Sequence, residues 1–158
     1  MMKIIYFAVT LVLTVALLGC GTSNDEPKST DSPSVSGPDG LEANLTETGE
    51  DGRAFQYVLT NHSDSDVTLT FSSGQEFNYI LWRKDETETM VYSYEQGRAF
   101  TQAFHERTLK PHESITYDIA LEEYEPDTYI LEAYMTSNEP DQESPAKYRQ
   151  TLEFTIPD

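Results

Sequence analysis

The chain has 158 residues, with 28 acidic and 10 basic side chains, and its formal net charge at pH 7 is −18. A surface this acidic repels polyanions, which excludes nucleic acid and anionic lipid headgroups as direct partners. Cys20 is the single cysteine, so no intramolecular disulfide can form. The folded part must therefore be stabilised by a packed core.

Residues 1–19 have the pattern of a cleaved signal peptide. A basic start at Lys3 precedes an apolar stretch, residues 4–18, which is shorter than the roughly 20 apolar residues that a spanning helix needs. Leu17, Gly19 and Cys20 resemble the lipobox of bacterial lipoproteins. That resemblance implies cleavage between Gly19 and Cys20, a diacylglyceryl thioether on Cys20, and a protein anchored to the extracytoplasmic side of the cell membrane by its lipid alone. A plain secretory leader is the alternative.

Residues 20–40 are dominated by Ser, Thr, Asp, Gly and Pro, with Val35 as the one large apolar side chain. Such a segment cannot bury enough apolar surface to offset the entropy of ordering it. We therefore expect a lipidated flexible linker over 20–40. The remainder, 41–158, is close to the usual size of one domain.

Apolar and polar residues alternate through most of this domain, which is the period of a β-strand rather than of a helix. The clearest runs are 55–59, 67–71, 115–121, 129–135 and 152–156. Turn-forming residues at 61–66 predict a hairpin between the first two runs. No window has the pattern of a capped amphipathic helix of ten or more residues. The sequence predicts an all-β protein, an antiparallel β-sandwich of seven to nine strands.

The run from Phe77 to Trp82 breaks the alternation, because apolar residues occupy both parities. Such a strand is either covered on both sides by a loop or leaves an aromatic patch exposed. Tyr79 and Trp82 are the candidate contacts if that patch is a docking face.

Four motifs occur in order between about residues 53 and 136, namely Phe55–Asn61, Leu69–Gln75, Tyr92–Tyr94 followed by Phe100–Ala103, and Leu109–Ser114. Together they resemble the BsuPI domain of bacillar intracellular proteinase inhibitors. The resemblance implies an immunoglobulin-like β-sandwich over 41–158 and inhibition of a subtilisin-type serine protease. A protein tethered outside the cell could not meet a cytoplasmic protease, so the expected target is a secreted or envelope enzyme.

His112 stands where the BsuPI family usually has a glycine after proline. A type II turn would force this histidine to positive φ, whereas a type I turn would not. We therefore expect a type I turn over Lys110–Glu113.

Catalytic motifs are missing from the sequence. It contains no Gly-x-Ser-x-Gly elbow and no His-Glu-x-x-His run. Three histidines are present, His62, His105 and His112. They fall in or near expected turns, where a solvated surface role is the simpler interpretation. The pair Asp64 and Asp66 lacks the rest of a calcium-loop pattern. We therefore expect neither an enzyme nor a metal or cofactor site.

Two loops are candidates for contact with a protein partner. Residues 94–100 place Arg98 after Gly97 and between two aromatic side chains, and residues 122–127 have an acidic tip stiffened by Pro126. For each segment, the alternative explanation is an ordinary solvated loop.

The sequence leaves three functions open. The first is a lipid-anchored inhibitor of a serine protease, and the second is a non-inhibitory interaction or scaffolding module of the envelope that docks through a sheet edge or through the Tyr79–Trp82 face. The third is a solute binder that stacks its ligand on tyrosines, of which the chain has ten.

Overall fold

The computed structural model describes residues 34–37, 39–84, 90–121, 123–137 and 148–158. The predicted signal peptide, with Gly19 and Cys20, lies outside these residues. The described part contains no α-helix, and no helix long and apolar enough to cross a membrane was found there.

Strands account for most of the described chain. They are β1 (Val35–Ser36), β2 (Leu41–Glu47), β3 (Ala54–Asn61), β4 (Val67–Phe71), β5 (Phe77–Arg83), β6 (Met90–Ser93), β7 (His105–Leu109), β8 (Ser114–Ala120), β9 (Asp127–Met135) and β10 (Gln150–Ile156). All pairings between them are antiparallel. The predicted count of seven to nine matches the nine strands of four or more residues, to which the two-residue β1 is added.

Two four-stranded sheets form the sandwich, in the orders β1-β2-β3-β8 and β10-β9-β5-β6, and β4 and β7 form a separate pair. An immunoglobulin domain has strands A, B and E in one sheet and C, F and G in the other. Strands β2, β3 and β8 take the places of A, B and E, and β5, β9 and β10 take those of C, F and G. The prediction of an all-β, immunoglobulin-like sandwich is confirmed.

The core lies between the two sheets and consists of the apolar parity of each strand. Leu45, Tyr57, Leu59, Leu81 and Leu131 are all completely buried. Each such side chain contributes about 1.5–3 kcal/mol relative to an exposed position. Edge-to-face contact of the Phe55 and Phe154 rings, with centroids 4.5 Å apart, joins the two sheets directly.

The predicted hairpin between β3 and β4 is wrong. Strand β3 pairs with β2 and β8, whereas β4 pairs with β7. The reason is the fully buried side chain of Asn61, whose amide donates to the carbonyls of Ser65, at 2.8 Å, and Leu109, at 3.0 Å. Its carbonyl oxygen accepts from the backbone N–H and hydroxyl of Ser63. These bonds turn the chain out of the first sheet and fix it beside the end of β7.

The expected type I turn over Lys110–Glu113 is also wrong. His112 has φ 63°, the positive value that a type II turn requires at its third residue. A side chain in that region costs on the order of 1–3 kcal/mol and persists only where its surroundings enforce it. Here the N–H of His112 donates to the Asn61 carbonyl at 2.8 Å, and the Asn61 N–H donates to the Glu113 carbonyl at 2.9 Å. Pairing with the end of β3 thus enforces the turn.

The last part of the predicted linker belongs to the first sheet. Val35 and Ser36 pair with Ala43 and Glu42 of β2, and the N–H of Gly37 donates to the Leu41 carbonyl at 2.7 Å. The composition of this segment did not predict the strand, because a two-residue edge strand forms by backbone pairing and does not need an apolar run. The folded unit thus begins several residues before the expected boundary at Leu41.

Candidate functional site

Aromatic side chains fill one open side of the sandwich, where β8 of one sheet faces β5 and β6 of the other. We call this set the aromatic cluster; its members are Phe77, Tyr79, Tyr92, Tyr94, Phe100, Tyr117 and Tyr124. The Phe77 ring lies 4.2 Å from that of Tyr117 and 4.8 Å from that of Tyr94, measured between centroids. Aromatic pairs of this kind contribute about 0.5–1.5 kcal/mol beyond their buried area. The cluster is therefore a rigid support for the chain segment that packs over it.

A long loop, residues 94–104, leaves β6 over this cluster and returns to β7; we call it the β6–β7 loop. It begins with a tight turn, in which the N–H of Gln96 donates to the Ser93 carbonyl at 2.9 Å and that of Arg98 donates to the Glu95 carbonyl at 3.3 Å. Gly97 has φ 71°, and a β-carbon added there would meet nothing within 4 Å. The turn consequently projects into solvent, and its glycine is required by the backbone conformation alone.

Arg98, a contact candidate from the sequence, is exposed but not free to reach out. Its guanidinium carbon lies 4.1 Å from the centroid of the Tyr94 ring, a cation–π arrangement. A hydrogen bond that the guanidinium donates to the Tyr92 hydroxyl raises the pKa of Arg98. This side chain holds the start of the loop against the aromatic cluster.

The second half of the β6–β7 loop is held at both ends. The Thr101 carbonyl accepts a hydrogen bond from the N–H of Gly74 at 2.8 Å, and the two residues pack so closely that a β-carbon on Gly74 would lie 2.5 Å from the Thr101 hydroxyl oxygen. At the other end, the His105 ring stacks on that of Phe71 at 5.0 Å. Between these anchors Gln102, Ala103 and Phe104 are exposed.

Glu76 ties the end of the loop to the body of the domain. Its carboxylate accepts from Nε2 of His105 at 3.1 Å, from Arg107 at 2.7 Å and from the Tyr117 hydroxyl at 2.6 Å. Burial alone would raise the pKa of Glu76, but the three hydrogen bonds outweigh it and lower that pKa below its ordinary value. His105 is thus part of a network on β7 and not the solvated loop residue that the sequence suggested.

The structure does not bring Tyr79 and Trp82 together on one face. Tyr79 is 7% exposed, lies opposite Ala133 and belongs to the aromatic cluster, and burial raises the pKa of its hydroxyl. Trp82 lies opposite Ile130 on the other side of the same sheet, where it is half-buried. The two residues offer separate surfaces, since their separation of three positions puts them on opposite faces of β5.

Pro126 is exposed in the connection between β8 and β9. This connection is also attached to the body of the domain, because Arg53 donates to the Tyr124 carbonyl at 3.1 Å and the Tyr129 hydroxyl donates to the Glu125 carbonyl at 3.0 Å. It adds Tyr124 to the aromatic cluster, with a ring 6.4 Å from that of Tyr92.

Phe104 is the functional candidate that sequence reasoning missed. It is 80% exposed, the highest value among the large hydrophobic residues of the described chain. A signal for it was present, because Phe104 shares the parity of Glu106 and Thr108, both of which face solvent. An aromatic residue that continues the solvent-facing register of a strand is expected to point away from the core.

The described residues contain no group of three or more His, Cys, Asp or Glu side chains arranged to hold a metal ion. The tyrosines of the aromatic cluster pack against one another in tilted arrangements, with the Tyr79 ring 5.6 Å from that of Tyr92 and 5.4 Å from that of Tyr94. The site combines a projecting loop, residues 94–104, with a base of packed aromatic rings.

Comparison with protein-family models identifies the family to which this chain is related. The model of BsuPI, described as intracellular proteinase inhibitor, matches residues 41–140. The chain belongs to the BsuPI family. The matched part contains the aromatic cluster, the β6–β7 loop and the Glu76 network, and it extends on both sides beyond the region in which the sequence motifs resemble this family. Membership of an inhibitor family agrees with the expectation of a binding protein.

A comparison with solved structures gave matches of low sequence identity. A DUF3244 family protein with an immunoglobulin-like β-sandwich fold, from Bacteroides vulgatus, is 15% identical, with a TM-score of 0.33 over 80% of this chain and 97% of that protein. A candidate α-N-acetylgalactosaminidase from Bacillus halodurans is 19% identical, with a TM-score of 0.30 over 58% of this chain and 20% of that one. A search of curated proteins gave no match.

Proposed function

We propose that this BsuPI-family protein is an inhibitor of a subtilisin-type serine protease and acts through its β6–β7 loop. The observation that carries the proposal is the anchoring of this loop before any partner binds. Cation–π contact fixes its start through Arg98, backbone hydrogen bonding fixes its middle through Thr101, and the Glu76 network fixes its end.

Pre-organisation of this kind matters because ordering a side chain on contact costs about 0.5–1.5 kcal/mol. Small inhibitors commonly fix their binding loops with disulfides, which the single Cys20 rules out here. Aromatic packing and hydrogen bonds supply the rigidity instead. A loop held rigidly in one conformation also resists cleavage, since a protease must distort its substrate towards the transition state.

We further propose that the inhibitor works outside the cell, attached to the membrane through lipid on Cys20. The lipobox-like residues Leu17, Gly19 and Cys20 support this location. Each buried methylene contributes about 0.8 kcal/mol to attachment, so two acyl chains give durable anchoring where one would not. The expected partner is a secreted or envelope protease. The net charge of −18 would speed the approach of a partner with a basic surface.

Titration of the purified protein against subtilisin tests this function. Residual activity should fall in proportion to added protein, with the inhibitor chain intact by mass spectrometry at the end. Undiminished activity, or rapid cleavage of the added protein, would refute the proposal. Heat-denatured protein is the control, because it has the same composition without the anchored loop.

A second candidate, a non-inhibitory module that binds an envelope protein, is favoured by one observation. The outer face of β5 carries Trp82 and Ile80, both half-buried, beside the 41% exposed Met90 on β6. Replacing Trp82 by glutamine should then abolish partner capture in a protein that still melts cooperatively. Capture that survives in such a variant excludes this face.

A further inference from the structure

The exposed side chain of Phe104 needs an explanation that the fold does not supply. The ring is 80% exposed, although burying a phenylalanine is strongly favourable. Its chain neighbours Gln102 and Ala103 are exposed too, and residues 101–104 belong to no strand or turn. Residues 102–104 therefore lie at the surface, while Thr101, whose carbonyl accepts from the N–H of Gly74, and His105 hold the two ends of the stretch.

A chain segment that enters a protease cleft must meet two conditions. Its backbone must be free to pair with the enzyme as an added strand, and one side chain must project into the specificity pocket beside the catalytic serine. Residues 102–104, which are exposed and belong to no strand or turn, meet the first condition, and Phe104 meets the second. Arg98 meets neither, because its N–H is bonded within a turn and its guanidinium lies on Tyr94.

Charge points to the same stretch. Although the chain has 28 acidic residues, none occurs from Arg98 to His105. A carboxylate entering an apolar pocket would pay a large desolvation cost, and this segment carries none to oppose entry. This interval without acidic residues includes the exposed stretch Gln102–Phe104 of the β6–β7 loop.

We propose that Phe104 fills the specificity pocket of the inhibited protease, and that this pocket is apolar. The inference rests on the proposed inhibitory function and adds to it the residue that decides specificity. Proteases with a hydrophobic slot accept an aromatic side chain, whereas those with an aspartate at the base of the pocket select arginine or lysine. The target class is accordingly a serine protease that cleaves after large apolar residues.

Inhibition constants of variants of the full chain against subtilisin, chymotrypsin and trypsin test the assignment. Phe104→Ala should raise the constant for the enzymes with apolar pockets about 10- to 150-fold, the range expected for loss of one buried phenylalanine side chain. Phe104→Arg should lose inhibition of those enzymes and gain inhibition of trypsin. Thr116→Ala is the control, since it truncates an exposed side chain on β8, outside both the β6–β7 loop and the outer face of β5, and should change the constants by less than about twofold.

The outcomes separate this inference from the function on which it rests. If the unaltered protein inhibits none of the three enzymes, the inhibitory function fails. If it inhibits but Phe104→Ala is unchanged, only the assignment of Phe104 fails. Loss of inhibition in Phe104→Arg without any gain against trypsin would place Phe104 at the contact but outside the pocket, which also overturns the assignment. Thermal melting of each variant checks the fold, which an 80% exposed residue should not affect.

Discussion

Replacing Gly74 by alanine should detach the middle of the β6–β7 loop without unfolding the domain. The added methyl would lie 2.5 Å from the Thr101 hydroxyl oxygen and 3.5 Å from the Thr101 nitrogen. Threonine is stiff at χ1, so its oxygen cannot easily rotate away and the loop must shift. The shift would lengthen the 2.8 Å hydrogen bond from the Gly74 N–H to the Thr101 carbonyl.

The magnitude follows from that hydrogen bond. A backbone hydrogen bond contributes about 0.5–1.5 kcal/mol net. At 1.36 kcal/mol per tenfold change, its loss should raise the inhibition constant about 2- to 13-fold. The free energy of unfolding would not report this loss reliably. Alanine lowers the conformational entropy of the unfolded chain, and this stabilises the protein by about 0.4–1 kcal/mol, which can offset the lost bond. The inhibition constant for subtilisin reports on the loop itself.

A second substitution makes this prediction specific. Thr101→Ala removes the oxygen that the new methyl would meet and leaves the backbone carbonyl to accept its bond, so the double variant Gly74→Ala/Thr101→Ala should regain most of the lost inhibition. Thr101→Ala alone should stay close to the unaltered protein. A double variant as weak as Gly74→Ala, or a Gly74→Ala variant of full strength, would refute the role given to this anchor.

Three further predictions concern the core, the pH response and the membrane anchor. Tyr57→Phe removes the buried hydroxyl that donates to the Tyr148 carbonyl at 2.7 Å, and it should lower the free energy of unfolding by about 1–3 kcal/mol in a urea titration; an unchanged value contradicts this. Because folding lowers the pKa of Glu76, its stabilisation is complete above the unfolded-state pKa of about 4.3 and is lost as the pH falls through the lower folded value. Melting temperatures of Glu76→Gln should thus vary less than those of the unaltered protein below about pH 5, and equal slopes would exclude this role. Cys20→Ser should move the protein from the membrane to the soluble fraction; a variant that still sediments with membranes argues against the lipid anchor.

The alternation of apolar residues predicted most of the fold, because each strand buries one face and period-two patterning records which face that is. Phe55, Tyr57 and Leu59 are buried as this pattern requires. The pairing between strands was harder to predict from the sequence, since it depends on contacts between residues that are far apart in the chain. The side chain of Asn61 directs β4 away from β3 by bonding the Leu109 carbonyl, 48 positions later.

The candidate site was predictable only in part. The sequence pointed to Arg98 and its aromatic neighbours, and the structure brings that residue onto Tyr94. It could not reveal that this contact occupies the guanidinium, nor that Gly74 and Glu76 anchor the other half of the loop from distant positions. His112 at positive φ escaped prediction for the same reason, because the bonds that enforce it come from β3.

Stoichiometric titration of subtilisin, with the inhibitor's mass measured afterwards, tests the central claim most directly. A pre-anchored β6–β7 loop predicts a linear loss of activity that reaches zero near one equivalent, with the chain uncut. Full protease activity at several equivalents, or a chain cleaved within residues 94–104 as fast as an ordinary substrate, would contradict the account.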